Sequence, residues 1–218
     1  HILVATGRAP NLEGLDLDKA GIRRAKADNG QLQLTPGLRT TNRRVFAVGD
    51  IAGGCQSVHL ARQQGEQIAA SVLFYAPVRQ RPELVPHVTY TDPELAEIGL
   101  TEAQAKARVK SGVVITRWAF AENDRARADR NGFGAAKLVT DRSGRILGAG
   151  IVGNGAGELI ALFSLAISRG LSARHLMDLV APYPTYAEIA RRLGLEFHRG
   201  LGANPMLRRL AEFVRYLP

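Results

Sequence analysis

The sequence predicts an α/β nucleotide-binding remnant followed by an α+β domain, in which an antiparallel sheet carries helices on one face. In the first part, apolar runs of strand length end in glycine turns, and a helical pattern follows the second run. Beyond residue 81, short strands come in succession and helices gather after them. With 218 residues, 45% of them hydrophobic, the chain is long enough for two packed units.

The first part alternates strand, turn and helix. Glycine and asparagine mark its turns, and the helix has apolar residues three and four positions apart. Its predicted elements are a buried strand at 2–5, a hairpin around Asn29-Gly30, a strand at 45–48 that Gly49-Asp50 ends, and a helix at 57–75.

Two prolines, Pro77 and Pro82, bracket a charged linker, which indicates a domain boundary. The predicted domains are 1–80, 81–200 and a tail at 201–218. The second domain has predicted strands at 85–90, 96–99, 113–120, 134–140 and 146–152, and helices at 101–110, 158–168, 173–179 and 185–197. Capping boxes are predicted for the helices that follow Thr101 and Thr185, since Gln104 and Glu188 come three residues later.

Composition excludes several classes of protein. The chain has 29 basic and 20 acidic residues, a net charge of +9, but most basic residues are scattered, so we interpret them as solvated surface and expect no nucleic-acid partner. The single cysteine, Cys55, excludes a two-thiol redox centre within this chain and is interpreted as a small loop residue. No metal site is assigned.

The chain begins with His1 and enters an apolar strand almost at once, with nothing that resembles a signal peptide before it. We therefore expect a fragment of a longer, cytoplasmic protein. No run of 18 apolar residues occurs, which argues against a spanning helix.

The Gly49-Asp50 pair suggests a ligand site by its chemistry. Glycine lets the backbone approach a ligand closely, and the short carboxylate of Asp50 accepts hydrogen bonds from paired hydroxyls on a sugar or ribityl chain. The helix from about Ser57 directs its positive end towards whatever lies there, which suits an anion. The alternative is that Gly49-Asp50 only closes a strand turn.

Three segments resemble one family, in that family's order: residues 5–11 (ATGRAPN), Thr40 with residues 45–50 (VFAVGD), and residues 85–96 (VPHVTYTDPELA). The family is the class I pyridine nucleotide-disulfide oxidoreductases, which includes glutathione reductase, dihydrolipoamide dehydrogenase and mercuric reductase. The resemblance implies the end of an NAD(P) domain, the tail of an FAD domain and a dimerisation domain. It implies FAD and NAD(P)H in the full-length protein, a homodimer, and a fragment that is inactive alone. The alternative function is a non-catalytic self-association module.

The resemblance also implies cofactor contacts. Asp50 would contact the ribityl chain of FAD beside the close backbone of Gly49, and the backbone of Val58 would face the flavin ring. Gly7 matches a position where the backbone approaches the nicotinamide nucleotide, or it is a plain turn glycine. His59 is either a flavin neighbour or a packed helix residue.

The segment around Tyr183 departs from the family pattern. The reductases have a His-Pro pair in which the histidine is a general base for a thiol, oriented by a glutamate five residues later. Here Pro184 and Glu188 match, but Tyr183 replaces the histidine. A phenol with a pKa near 10 is a poor base, although it can donate a hydrogen bond or bind a metal ion as phenolate.

This departure favours a mercuric reductase-like enzyme over the glutathione or lipoamide type, with Tyr183 and Glu188 as the catalytic candidates and a small molecule or disulfide as substrate. The alternative is that Tyr183 is a surface aromatic residue in a proline-rich loop.

Two further segments receive predictions. Residues 123–129 carry charges of both signs and are interpreted as a solvated connection. Residues 205–217 have the pattern of an amphipathic basic helix, which either packs on the dimer or attaches to an anionic membrane surface.

Overall fold

The computed structural model describes residues 1–26 and 31–202. The chain divides into two compact units, His1–Pro82 and Glu83–Pro218. The predicted hairpin tip at 29–30 and the predicted tail helix at 205–217 lie outside the described residues.

Helix α1 (Val58–Phe74) dominates the first unit and confirms the predicted helix. Ser57 caps it, because the Ser57 hydroxyl accepts a hydrogen bond from the Leu60 N–H at 3.4 Å. A short 3-10 turn, Gly49–Ala52, precedes it. The remaining apolar contacts of this unit form a small cluster of buried side chains, namely Leu12, Ile22, Leu32 and Ala47.

The two strands predicted for the first unit are wrong. Residues 2–5 are not paired in a strand, and the Ile2 and Val4 side chains are 96% and 76% exposed. Residues 45–48 form only one isolated antiparallel bridge, between Phe46 and Arg39. A strand needs a partner along its length, and Leu38, with a φ of +60°, breaks the extended backbone opposite residues 45–48.

The second unit contains an antiparallel sheet with the strand order β1-β2-β5-β4-β3. Its strands confirm the predicted ones, with ends shifted by a few residues. They are β1 (His87–Thr89), β2 (Leu95–Gly99), β3 (Val113–Ala119), β4 (Ala135–Asp141) and β5 (Ile146–Val152). Its helices are α2 (Glu102–Arg108), α3 (Asp124–Ala128), α4 (Ala156–Ser168), α5 (Ala173–Met177) and α6 (Glu188–Gly202), with 3-10 turns at Pro82–Leu84 and Phe120–Glu122.

Alternating side chains give the sheet one apolar face. On β2, Ala96 and Ile98 are 0% and 2% exposed, and they lie opposite Ile151 and Ala149 of the central strand β5. Leu95 and Glu97, which point to the other face, are exposed. Helices α4 and α6 pack against the apolar face with fully buried side chains such as Phe163 and Leu193.

The two predicted capping boxes differ in outcome. Thr101 and Gln104 form theirs at the start of α2. The capping box at Thr185 is wrong, because α6 begins at Glu188 and the Thr185 hydroxyl donates to the Pro182 carbonyl oxygen at 2.6 Å. Since that hydroxyl hydrogen bond runs backward along the loop, Thr185 stabilises the loop rather than the helix.

Gly194 allows α5 to pack closely on α6. A Cβ at Gly194 would lie 2.5 Å from the Met177 backbone nitrogen and 2.6 Å from the Ala173 carbonyl oxygen. Backbone atoms do not rotate away as the end of a flexible side chain does. The two helices would therefore have to separate to admit any larger residue.

We expect Gly194→Ala to lower the free energy of unfolding of the second unit by about 1–3 kcal/mol through overpacking. Urea unfolding followed by fluorescence of Trp118 measures this, since Trp118 is the only tryptophan and is 6% exposed. The matched control is Gly65→Ala in α1, where a Cβ would meet nothing within 4 Å. There, far-UV circular dichroism should show no loss of stability, because alanine is the better helix former. Equal stability of Gly194→Ala and the parent chain would contradict the close packing.

Candidate functional site

In the first unit, the turn at Gly49 is buried and held against α1. Gly49 has a φ of +72°, and its N–H donates to the Gln64 side-chain oxygen at 2.7 Å. A Cβ at Gly49 would lie 3.1 Å from the Cβ of Ala61. The turn is thus tied to the buried Gln64 of α1, and both the backbone conformation and the space favour glycine.

Asp50 presents a half-exposed carboxylate beside this turn. The Asp50 side chain is 48% exposed, and the Arg8 guanidinium lies 3.9 Å from it. Arg8 also donates to the Gln56 carbonyl oxygen at 3.1 Å. Arg8 therefore links the loop that contains Gly7 to the residues just before α1, a role that the sequence analysis missed although Arg8 directly follows Gly7.

The remaining cofactor candidates lie around the same helix end. Val58 is the first residue of α1 and is 87% exposed, and His59 is exposed beside it. Gly7 has a φ of +117°, with nothing within 4 Å of its Cβ position, so its backbone conformation and not crowding favours glycine. The structure thus places the Asp50 carboxylate, the exposed start of α1 and the Arg8 linkage within one unit.

In the second unit, Tyr183 lies on an exposed loop and its hydroxyl has a defined partner. The Tyr183 side chain is 69% exposed, and its O–H donates to Asp124 Oδ2 at 3.0 Å. Asp124 is the first residue of α3, 59 positions earlier in the chain. The sequence analysis missed Asp124, because nothing in the local pattern indicates a contact at that separation.

Glu188, the other catalytic candidate, has a different partner. Its side chain is 13% exposed, and Oε1 lies 3.6 Å from Arg192 Nη2. The Arg192 guanidinium in turn lies 5.9 Å from the centre of the Trp118 ring. In the described ranges 1–26 and 31–202, no hydrogen bond joins the side chains of Tyr183 and Glu188.

The surroundings of Tyr183 raise the pKa of its phenol above the ordinary value. The hydrogen bond to Asp124 is the main cause, followed by the negative charge of Asp124, burial, and the charge of Glu188, while Arg192 acts in the opposite direction. Tyr183 therefore stays protonated at neutral pH and acts as a hydrogen-bond donor. The phenolate form, which a metal ion would need, is disfavoured here.

A second tyrosine fixes the same loop. The Tyr186 hydroxyl donates to Asp129 Oδ2 at 3.2 Å and accepts from the Asn154 amide at 3.4 Å. The rings of Tyr186 and Phe120 lie 5.8 Å apart. Asp129 also pairs with Arg125 at 2.8 Å, and this hydrogen bond is the main cause that lowers the pKa of Asp129. Desolvation opposes it, while the Arg125 charge and the Tyr186 hydrogen bond lower the pKa further.

Asn123 connects the Tyr183 loop to α3 through hydrogen bonds at both ends of its side-chain amide. Its amide oxygen accepts from the Ala126 N–H at 2.9 Å, which caps α3, and its amide nitrogen donates to the Thr185 carbonyl oxygen at 3.1 Å. Asn123 is 1% exposed. The prediction of a solvated connection over residues 123–129 is thus wrong for Asn123, since a buried amide with both ends paired is a structural joint.

Neither a metal cluster nor a spanning helix is found in the described part of the chain. Over residues 1–26 and 31–202, no three His, Cys, Asp or Glu side chains come close enough together to hold a metal ion. No helix in those ranges combines the length and apolar character needed to cross a bilayer.

Two families match this chain. Residues 85–193 match the pyridine nucleotide-disulphide oxidoreductase dimerisation domain, and residues 1–65 match the pyridine nucleotide-disulphide oxidoreductase family.

Several known proteins are similar along most of the chain. Mercuric reductase of Staphylococcus aureus is 37% identical over 203 residues, which are 91% of this chain and 36% of that protein. Dihydrolipoyl dehydrogenase of Halobacterium salinarum is 37% identical over 188 residues, 86% of this chain and 39% of that protein. The chain thus spans well under half the length of these relatives.

Solved structures of the same kind have a similar fold. LpdA from Mycobacterium tuberculosis superposes with a TM-score of 0.77 at 25% identity, over 85% of this chain and 40% of that one. The Cu(II) complex of the HOCl-induced flavoprotein disulfide reductase RclA from Escherichia coli gives 0.80 at 25% identity, over 88% and 43%. The fold class predicted from the sequence is confirmed.

We expect Asn123→Ala to lower the free energy of unfolding of the second unit by about 2–3 kcal/mol. It removes the cap of α3 and leaves the Thr185 carbonyl without its amide donor. Urea unfolding followed by Trp118 fluorescence measures the change. Asn131→Ala, at an exposed position of the same segment, is the control and should stay within about 0.5 kcal/mol of the parent chain. Equal effects of the two substitutions would argue against Asn123 as a joint.

Proposed function

This chain belongs to the pyridine nucleotide-disulphide oxidoreductase family, and we propose that it supplies the dimer interface and part of the FAD site of an FAD- and NAD(P)H-dependent oxidoreductase. The observation that supports this proposal is the half-exposed Asp50 carboxylate, which lies next to the positive-φ Gly49 and the exposed start of α1. The chain spans 31–40% of the curated relatives' length. The activity of the whole protein is therefore part of the proposal.

The residues of the first unit fit the chemistry of FAD. The half-exposed Asp50 oxygens can accept hydrogen bonds from ribityl hydroxyls, and the positive φ of Gly49 shapes the turn that presents them. Val58, at the positive end of α1, lies where a helix stabilises negative charge. When bound, FAD would take a hydride from the reduced nicotinamide nucleotide and pass the electrons to an acceptor. Gly7 is proposed to lie near the nicotinamide nucleotide, and His59 near the flavin.

The chemistry of Tyr183 supports an electron acceptor other than a disulfide whose reduction needs a general base. Its phenol, protonated and with a raised pKa, cannot take a proton from a thiol at neutral pH as a histidine does. Relatives named mercuric reductase and dihydrolipoyl dehydrogenase match at similar identity, 37% in each class. The chemistry of Tyr183, with Glu188 five residues later, thus favours the mercuric reductase type, with a small molecule as the acceptor.

A homodimer is proposed because the second unit matches a dimerisation domain. In the described residues of this unit, several large apolar side chains are exposed, which a second copy would cover. They are Tyr90 at 80%, Phe133 at 73%, Leu165 at 59% and Val180 at 92%.

The alternative function is a self-association module without chemistry of its own. The fold of the second unit supports it equally, since both functions need a dimer. The two differ at Tyr183. Tyr183→Phe in the full-length protein lowers turnover with the acceptor in an enzyme, whereas in a module it affects stability alone. The cytoplasmic location and the absence of a nucleic-acid partner stay predictions.

We expect the chain of 218 residues to be a colourless dimer. Light scattering behind a sizing column should give about twice the chain mass of 23.6 kDa, with no flavin absorbance on the same peak, because the first unit holds only part of a flavin site. A monomer would contradict the proposed interface. A yellow peak would show that this chain alone retains FAD.

In the full-length protein, Asp50→Ala should reduce bound FAD, measured as the ratio of flavin to protein absorbance after dialysis. Loss of a hydrogen-bonded carboxylate is expected to weaken binding on the order of 10-fold or more. Asp18→Ala, an exposed aspartate elsewhere in the first unit, should leave the ratio unchanged. Unchanged FAD content in Asp50→Ala would count against the proposed site.

A further inference from the structure

The orienting carboxylate of the Tyr183 loop is not where the family pattern would place it. That pattern pairs the residue at position 183 with the glutamate five residues later. In this structure Glu188 is turned to Arg192 at 3.6 Å, and the Tyr183 hydroxyl is turned to Asp124 at 3.0 Å. We propose that Asp124 is the positioning residue for Tyr183. This inference rests on the proposed function, in which Tyr183 faces the acceptor.

The position of Asp124 relative to Tyr183 is set by buried groups. Asp124 begins α3, and the Asn123 amide oxygen, 1% exposed, caps that helix through the Ala126 N–H at 2.9 Å. The same amide donates to the carbonyl oxygen of Thr185 at 3.1 Å. The buried Asn123 side chain thus holds both α3, which carries the Asp124 carboxylate, and the loop that carries the Tyr183 phenol.

A second pair reinforces this arrangement. The Tyr186 hydroxyl donates to Asp129 Oδ2 at 3.2 Å. Tyr186 lies three residues after Tyr183, and Asp129 lies five residues after Asp124. Two tyrosine hydroxyls therefore donate to two aspartates of the same segment. Paired bonds at both ends resist rotation of the loop better than either bond alone, because breaking one leaves the other in place.

The hydrogen bond sets what Tyr183 can do. Its proton is directed to Asp124, so the phenol oxygen keeps its lone pairs for a hydrogen-bond donor that reaches the exposed loop. The charged groups around the phenol are Asp124 from α3 and Glu188 and Arg192 from α6. Asp124 has the largest effect, since its hydrogen bond and then its charge raise the pKa of the phenol.

Glu188 is left with another task. Its carboxylate is 13% exposed and pairs with Arg192, whose guanidinium lies 5.9 Å from the Trp118 ring centre. The Arg192 Nε is buried and has no hydrogen-bond partner. Glu188 therefore stabilises the arginine that packs on the edge of the core, and reaches Tyr183 through its charge alone.

The direct test is titration of the Tyr183 phenol by ultraviolet absorbance in the full-length protein. The four other tyrosines of this chain, and any in the rest of the full-length protein, also absorb, so the Tyr183 signal is obtained by subtracting the Tyr183→Phe curve. The parent phenol should ionise above the ordinary pKa of about 10, and Asp124→Asn should bring it down towards that value. The Tyr183 contribution to stability is therefore present below about pH 10 and is lost as pH rises through the raised pKa.

Asp129→Asn is the matched control, since it removes the same charge from the partner of Tyr186. Asp129→Asn should leave the pKa of Tyr183 unchanged. A Tyr183 pKa that Asp124→Asn does not lower, or that Glu188→Gln lowers more, would overturn the proposal.

Turnover of the full-length protein gives an independent readout. Tyr183→Phe should lower kcat by about 100-fold, Asp124→Asn by about 10-fold, and the double variant no further than Tyr183→Phe alone, because Asp124 acts through the phenol. Asp124→Glu keeps the charge but moves the carboxylate, so it should keep only the part of the raised pKa that the charge supplies and still lower kcat. Additive losses would overturn the positioning role. Unchanged kcat in Tyr183→Phe would instead refute the proposed function of Tyr183, while the titration still decides whether Asp124 holds it.

Discussion

The amide of Asn123 accepts a hydrogen bond from α3 and donates one to the Tyr183 loop, and the geometry of the candidate site depends on both. Buried at 1% exposure, it has no water to replace either partner. Because the two bonds are satisfied together, the carboxylate of Asp124 and the hydroxyl of Tyr183 meet at 3.0 Å although both side chains are exposed. A surface hydrogen bond of this kind would be weak without a buried joint beneath it.

The sheet provides the frame to which that joint is attached. The central strand β5 pairs with β2 on one side and β4 on the other. Helices α4 and α6 cover the apolar face of the sheet. Phe120, 0% exposed, directly follows β3, and its ring lies 5.8 Å from that of Tyr186, so the edge of the core contacts the loop. Close backbone packing, as at Gly194, leaves little freedom for these elements to shift.

Charge separates the roles of two carboxylates near one phenol. Glu188 lies in a half-buried pair with Arg192, while Asp124 lies on the surface and accepts a hydrogen bond from the Tyr183 hydroxyl. Where the family resemblance implies a histidine that works as a base at neutral pH, this chain has a tyrosine that does not. The neighbouring Asp124 strengthens that change, because it raises the phenol pKa further. The site is therefore suited to donating and accepting hydrogen bonds rather than to removing protons.

The sequence by itself determined the elements whose signals are local. The capping box at Thr101, the alternation of Ala96 and Ile98, and the helix after Ser57 all lie within a few residues of their cause. Motif order was enough to predict the family. Tertiary structure decided what depends on distant partners. Residues 2–5 are apolar but form no strand, since a ladder needs a neighbour, and Asp124 meets Tyr183 across 59 positions. The local sequence pattern indicates whether a residue prefers burial or a helix. A hydrogen bond between remote segments forms only when packing brings the donor and the acceptor together.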